Sequence, residues 1–127
     1  MSSVPLRFPP HPVRGVQVLH QKQNCAPQFA QIEVDFEPAA EGFTFEVALE
    51  APVDHEPSEE LSRFFAAAAA GIKEQLSLPE HHIVIAARVV LRRARTDRFG
   101  SNNLAFKIAG FLAARQALER AQCLRPS

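Results

Sequence analysis

Two stretches of the chain alternate apolar and polar residues with a period of two. Between Gln28 and Glu37, Ile32, Val34 and Phe36 are separated by Glu33, Asp35 and Glu37. Between Phe43 and Leu49, Phe43, Phe45, Val47 and Leu49 are separated by Thr44, Glu46 and Ala48. Successive strand residues point to opposite faces, so each stretch predicts a strand with one apolar face and one polar face. Phe29 is out of phase, which predicts a bulge before Gln31. Pro38-Ala39-Ala40-Glu41-Gly42 carries turn residues, so the two strands are expected to pair as an antiparallel hairpin with an acidic wet face. A weaker alternation over Val13–His20 predicts a first strand at a sheet edge, and Gln21–Pro27 a turn. Ile83–Leu91 is dense in β-branched residues and predicts a more buried, central strand.

The spacing changes to three and four in two places. Leu61, Phe65, Ala68, Ile72 and Leu76 predict a helix, with Ser58 as its N-cap and Glu59 and Glu60 in the first turn. The run Ala66–Ala70 has high helix propensity and suits a thin helix–sheet contact. Leu78-Pro79 ends that helix. Asp97–Leu124 reads as a polar loop feeding a long terminal helix. Ser101 is a good N-cap, with Asn102 and Asn103 as alternatives. Leu104, Ile108, Phe111, Leu112, Ala113, Leu118 and Ala121 mark its expected core face. Arg115 and Arg120 sit late, where the helix dipole favours cations, and Pro126 stops the helix. Gly110 costs about 1 kcal/mol relative to Ala in mid-helix, and close approach to a sheet is the expected compensation.

The element order is therefore strand, strand, strand, helix, strand, helix. Two helices on one face of a four-stranded sheet make a two-layer α+β sandwich. Residues 13–127 form one domain at this length, and residues 1–12, with Pro5, Pro9, Pro10 and Pro12, an extended arm or loose end. No apolar run approaches the roughly 18 residues of a spanning helix, and the first residues lack the pattern of a signal peptide. The expectation is a cytoplasmic protein without a membrane role. Cys25 and Cys123 are expected as reduced thiols.

Charge changes the picture through its distribution. Fourteen basic and fourteen acidic residues cancel, yet Ile32–Ser62 holds no Lys or Arg among its many acids. Arg88, Arg92, Arg93, Arg95 and Arg98 then crowd around one predicted loop. This predicts an electrically polarised molecule, or simply two solvated faces of opposite sign. The chemistry-bearing patterns are sparse. There is no Gly-x-x-x-x-Gly-Lys-Ser/Thr phosphate loop and no Gly-x-Gly-x-x-Gly after a strand. His81-His82 reads as an exposed loop without a metal partner, Cys25 has no evident base, and Glu33 and Asp35 read as solvated charge. A non-catalytic domain without cofactor or metal is expected. The one candidate site is Arg92, Arg93, Arg95 and Arg98, placed between a strand end and a helix start. Guanidinium groups suit phosphate, and Phe99 would stack on a base if exposed.

Ser101 followed by Leu104-Ala105-Phe106-Lys107-Ile108-Ala109-Gly110 resembles the last helix of domain IV of translation elongation factor G. That family reads there Asp-Ser-Ser, two variable residues, then Ala-Phe-Lys-Ile-Ala-Gly or Ala. Lys22-Gln23 and Gln28-Phe29-Ala30, Phe36-Glu37-Pro38, Gly42-Phe43-Thr44-Phe45 and Gly71-Ile72 are similar to further family stretches in the right order. The resemblance spans residues 15–127. It implies the β-β-β-α-β-α sandwich with a left-handed βαβ crossover, shared with the second domain of a small-subunit ribosomal protein. It also implies contact with the small-subunit decoding site through two tip loops, here Gln23 through Gln28 and Arg93 through Gly100. The expected RNA- or ribosome-binding residues are Gln23, Asn24, Gln28, Arg92, Arg93, Arg95, Asp97, Arg98 and Ser101. The chain departs from the family in four places. Asn24-Cys25-Ala26-Pro27 replaces a Gly-Gly-Arg-Gly loop, Asp97 stands near the usual His, Gly100-Ser101 replaces the Asp-Ser before the helix, and residues 51–57 replace Gly-Gly-Val-Ile-Pro. No GTPase domain is present in this sequence, so GTP binding by this chain is not expected and the reading is a free-standing domain. The expected partners are the small ribosomal subunit and its RNA. The alternative is a protein-interaction module with a protein partner or a second copy, because the first loop has lost its glycines and arginine.

Overall fold

The structure is a computed structural model that describes residues 5–23 and 26–121. Its strands are β1 (Leu6–Phe8), β2 (Val13–Lys22), β3 (Gln28–Pro38), β4 (Gly42–Val47) and β5 (Ile83–Arg95). Helix α1 (Glu60–Leu76) joins β4 to β5, and α2 (Asn103–Arg120) follows β5. The fold is the expected α+β sandwich, a mixed sheet with both helices packed together. Strand β1 comes from the Pro-rich arm, which is docked: it runs parallel to β5, and Phe8 is fully buried against Phe36 at a centroid distance of 5.9 Å. Arg7 donates to the carbonyls of Ala39 and Ala40 and ties the arm to the connection after β3.

The expected β3–β4 hairpin does not form. β3 pairs antiparallel with β2 on one side and with β5 on the other, while β4 lies parallel on the far edge of β5. β4 and β1 share that edge, one beyond the other. Period-two alternation reports which face of a strand is buried and says nothing about its neighbour. Here β5, almost continuously apolar from Ile83 to Leu91, takes the central place between β3 and β4 that its composition favours. The bulge expected before Gln31 is also elsewhere. One irregularity falls at Arg14–Gly15 in β2, where Gly15 has φ +67°, and the other at Arg92 in β5, between the pairs Glu33–Arg93 and Val34–Leu91.

The core lies between the helices and one sheet face. Val16, Val18, Ile32, Val34, Phe36, Val89 and Leu91 supply the sheet side. The helix side corrects the sequence reading. Leu104 is exposed, Leu112 is partly so, and α2 instead buries Ala105, Phe106, Ala109, Gly110, Ala113, Ala114, Ala117 and Leu118. Large apolar residues give weak direction on a helix that is apolar nearly all round, and the small ones permit close contact. A Cβ on Gly110 would stand 2.1 Å from the Ala68 carbonyl oxygen, and one on Gly71 would stand 2.0 Å from that of Lys107. Gly110 therefore serves approach to α1, not to the sheet. Phe64 and Phe106 stack at 4.9 Å where the helices meet.

The helix starts differ too. Asn102 caps α2, its Oδ1 accepting from the Ala105 N–H at 2.8 Å, which leaves Ser101 for another task. α1 begins without a side-chain cap, so Ser58 does not play the expected part; its carbonyl accepts from Leu61 instead. His81 is not in an exposed loop but buried, its Nε2 at 2.7 Å from Gln75 Oε1. Cys25, Cys123 and Pro126 lie outside the described residues. No helix among the described residues is long and apolar enough to cross a membrane.

Candidate nucleic-acid interface

The arginines expected in a loop are mostly on β5. The strand runs to Arg95, so Arg92, Arg93 and Arg95 belong to it and only Arg98 lies in the connection to α2. They project from the sheet face opposite the helices, and there they meet the acids. Arg88 forms a two-pronged pair with Glu46, at 2.5 and 2.9 Å. Arg93 reaches Glu50 at 3.0 Å, and Arg14 reaches Glu37 at 2.7 Å. The acidic block and the basic block thus share one face and alternate across strands, so the molecule is not polarised as its sequence suggests. The hydrogen bond Arg93 donates to Glu50, then the charge of that carboxylate, holds Arg93 above the ordinary guanidinium range. Glu46 is held below the ordinary carboxylate range, first by its hydrogen bond from Arg88.

Asp35 is the buried member of this array. Its Oδ1 accepts from the Gly15 N–H at 2.9 Å and its Oδ2 from Arg92 Nε at 3.0 Å. One carboxylate therefore joins the two bulges on either side of β3. Arg92, expected as a ligand-binding residue, donates to Asp35 and helps fasten the sheet. Alternation alone puts Asp35 on a solvated face, because it cannot show that flanking strands bulge over it.

The tip holds what is left over. Gly100 N–H and Ser101 N–H both turn back to the Asp97 carbonyl. The Phe29 N–H donates to the Gly100 carbonyl at 2.8 Å, and Ser101 Oγ donates to the Phe29 carbonyl at 2.8 Å. Ser101 Oγ also accepts from the Asp97 N–H at 2.8 Å. A Cβ on Gly100 would stand 3.1 Å from Phe29 and 3.2 Å from the Gln28 carbonyl carbon, a tight fit. These contacts fasten the second tip loop to the strand that begins immediately after the first, so the two loops stand at the same end of the sandwich. Gln28 Oε1 accepts from His20 Nε2 at 2.7 Å, while Gln23 is exposed. Asn24 lies outside the described residues. Asp97 and Arg98 are exposed, and Phe99 between Arg98 and Gly100 is 81% exposed. Arg95 is exposed with one bond to Gln31 at 3.1 Å.

Two concavities flank this tip. A cleft of about 410 Å³ on the polar sheet face is bounded by Gln17, Gln31, Glu33, Glu50, Arg93 and Arg95. A smaller one, about 260 Å³, lies among Asp54, His55, Glu56, Thr96 and Arg98. His55 is a residue the sequence reading does not single out. It is buried, with Nδ1 at 3.1 Å from Thr96 Oγ1, Nε2 at 2.9 Å from Glu60 Oε1 and its ring edge-on to Phe64 at 5.2 Å. Both nitrogens are engaged, so the imidazole joins the 51–57 connection to the tip and to α1. No local sequence signal marks it, since its partners are brought together only by the fold. No group of three or more His, Cys, Asp or Glu side chains among the described residues is arranged to hold a metal ion.

No family model and no curated protein matches the chain by sequence. In shape it is similar to a crystal structure of a protein from Thermus thermophilus, with a TM-score of 0.72 at 24% identity. That match covers 94% of this chain and 18% of the Thermus chain. This chain therefore corresponds to less than a fifth of the Thermus protein's length, and the shared fold extends over nearly all of it.

Proposed function

We propose that this chain is a non-catalytic module similar to domain IV of elongation factor G, which contacts single-stranded or loop RNA of the small ribosomal subunit through its tip. The observation that carries the reading is Phe99, an exposed aromatic side chain on a turn fastened to β3 and flanked by Arg98. An exposed aromatic costs solubility, and the surrounding hydrogen bonds keep it from folding back. Such a ring presents a surface on which a base can stack, and Arg98 and Arg95 offer cations for the adjoining phosphates. The resemblance of Ser101 and Leu104–Gly110 to the family's last helix supports the same reading.

The division of labour among the arginines differs from the expectation. Arg95 and Arg98 bind phosphate, whereas Arg92 and Arg93 are engaged by Asp35 and Glu50. The test is binding of a fluorescent single-stranded RNA, and of isolated small subunits, across a salt series. Phe99→Ala is expected to weaken binding about tenfold, since one base stack contributes about 1–3 kcal/mol. Arg95→Ala and Arg98→Ala should each lower the salt slope by about one, and Arg93→Ala should leave it unchanged. Absence of binding at low salt, or Phe99→Ala binding as well as the parent, refutes the reading.

A further inference from the structure

β2 is the outermost strand on its side of the sheet; among the described residues it pairs with β3 alone. An outer strand presents a row of unpaired N–H and C=O groups, and natural edges are usually blunted by charge, proline or a bulge. Here Gly15 and its bulge protect one end and Lys22 the other. Between them, Val16-Gln17-Val18-Leu19-His20-Gln21 carries no Lys, Arg, Asp, Glu or Pro. Leu19 in its middle is 55% exposed. The opposite edge is different: it is split between β1 and β4, is anchored by Arg7, and carries the Glu46–Arg88 pair.

A second observation lies on α2. This helix covers β2 and β3, with α1 along its other flank. Lys107 and Gly110 mark the side facing α1, because their backbones lie against Gly71 and Ala68. On a helix of 3.6 residues per turn, Ile108, Leu112 and Gln116 fall on the side away from α1, above the open edge of β2. Arg120 confirms the direction, donating to the Arg14 carbonyl of β2 at 3.1 Å. Leu112 is 37% exposed there. On this flank Ile108 and Leu112 stand beside the exposed Arg115–Glu119 pair, so a helix flank of mixed character adjoins an uncharged strand edge; a strand-adding partner would make main-chain bonds to the edge and side-chain contact with the helix.

We propose that β2 is a self-association edge, at which a second copy of this chain adds its own β2 antiparallel about a two-fold axis at Leu19. Self-complementarity selects this occupant. With Leu19 on the axis, Leu19 meets Leu19, Val18 meets His20, Gln17 meets Gln21 and Val16 meets Lys22. No like charges face each other, and the amide side chains of Gln17 and Gln21 are matched. Moving the axis one residue to Val18 would set Arg14 against Lys22, a like-charge contact that disfavours the shifted register. A two-fold contact needs one patch that fits itself, and this one does. The antiparallel arrangement leaves the two tips at opposite ends of the joined sheet, each open to solvent.

The experiment is sedimentation equilibrium with multi-angle light scattering on the full chain, from low micromolar to near-millimolar protein. The parent is expected to be dimeric in the upper range, with amide exchange over Val16–Gln21 slowing as concentration rises. Leu19→Lys and Leu19→Glu each place like charges on the axis and should be monomeric, with far-UV circular dichroism unchanged because the side chain is already half in solvent. An equimolar mixture of the two variants should recover the dimer. Val47→Lys, an exposed apolar position on β4 at the opposite edge of the sheet, should dimerise like the parent. A parent that stays monomeric throughout overturns the proposal, as does a dimer that survives both Leu19 variants or a mixture that fails to reassociate.

Discussion

Replacing Gly110 or Gly71 by Ala adds one methyl group to a helix, a change that normally stabilises. In an exposed helix interior the gain is about 1 kcal/mol. Here the new Cβ would lie 2.1 Å from the Ala68 oxygen or 2.0 Å from the Lys107 oxygen, where ordinary contact begins near 3.4 Å. The obstacle is backbone on the facing helix, so no rotamer change relieves it. The helices must separate by about 1 Å or more, and a gap of that size forfeits up to about half of each affected dispersion contact. The Phe64–Phe106 stack shares that seam. Overpacking of this kind costs about 1–3 kcal/mol directly, and the loosened contacts add to it. With the propensity gain subtracted, each variant is expected to lose about 2 kcal/mol. Urea unfolding followed by circular dichroism should show a lower midpoint at an unchanged slope. The double variant should lose less than the two singles together, because one separation accommodates both methyl groups. Ala70→Gly, on the exposed side of α1, should lose about 1 kcal/mol, so the same chemical step would have opposite signs at the two kinds of position. If Gly110→Ala or Gly71→Ala instead raises the midpoint, the helices are not in backbone contact and the account of the core is wrong.

Two further outcomes test the polar sheet face. Asp35→Ala should cost about 2–3 kcal/mol, because it leaves the Gly15 N–H and a half-buried Arg92 without their shared acceptor; Arg92→Ala in the same background should cost little more, which a double-mutant cycle in urea reads directly. For the Arg88–Glu46 pair the folded carboxyl is held below its ordinary value of 4.5, so its contribution is present above that pH and fades as acid carries it through the lower folded value. Glu46→Gln should therefore be less stable than the parent at neutral pH and indistinguishable from it in strong acid. The difference should shrink with added salt, since both groups are in solvent; a difference that persists in acid would sink the assignment.

Several features of this protein are legible in the chain read alone. Alternation at Ile32–Phe36 and Phe43–Leu49 marks strands, because a strand's faces are set by local geometry. The three-and-four spacing through Phe65, Ala68 and Ile72 marks α1 for the same reason. Cap residues place the start of α2 to within a residue or two, Asn102 rather than Ser101 being the cap, whereas Ser58 stands near the start of α1 without capping it. The aromatic at position 99 beside Arg98 is visible as a candidate, though not its exposure. Tertiary structure decided the rest. Which strand lies beside which depends on how apolar faces are jointly covered, so β5 comes between β3 and β4 despite the short connection joining those two. Which face of α2 is buried depended on the partner helix, and glycine and alanine won over leucine because they let two backbones meet. Whether an arginine is available to a ligand depended on acids distant in sequence: Asp35 and Glu50 engage two of them, while Arg98 and Phe99 are carried to the tip. A local pattern records how a residue's own segment is shaped. Neighbours far along the chain determine what that residue has left to offer.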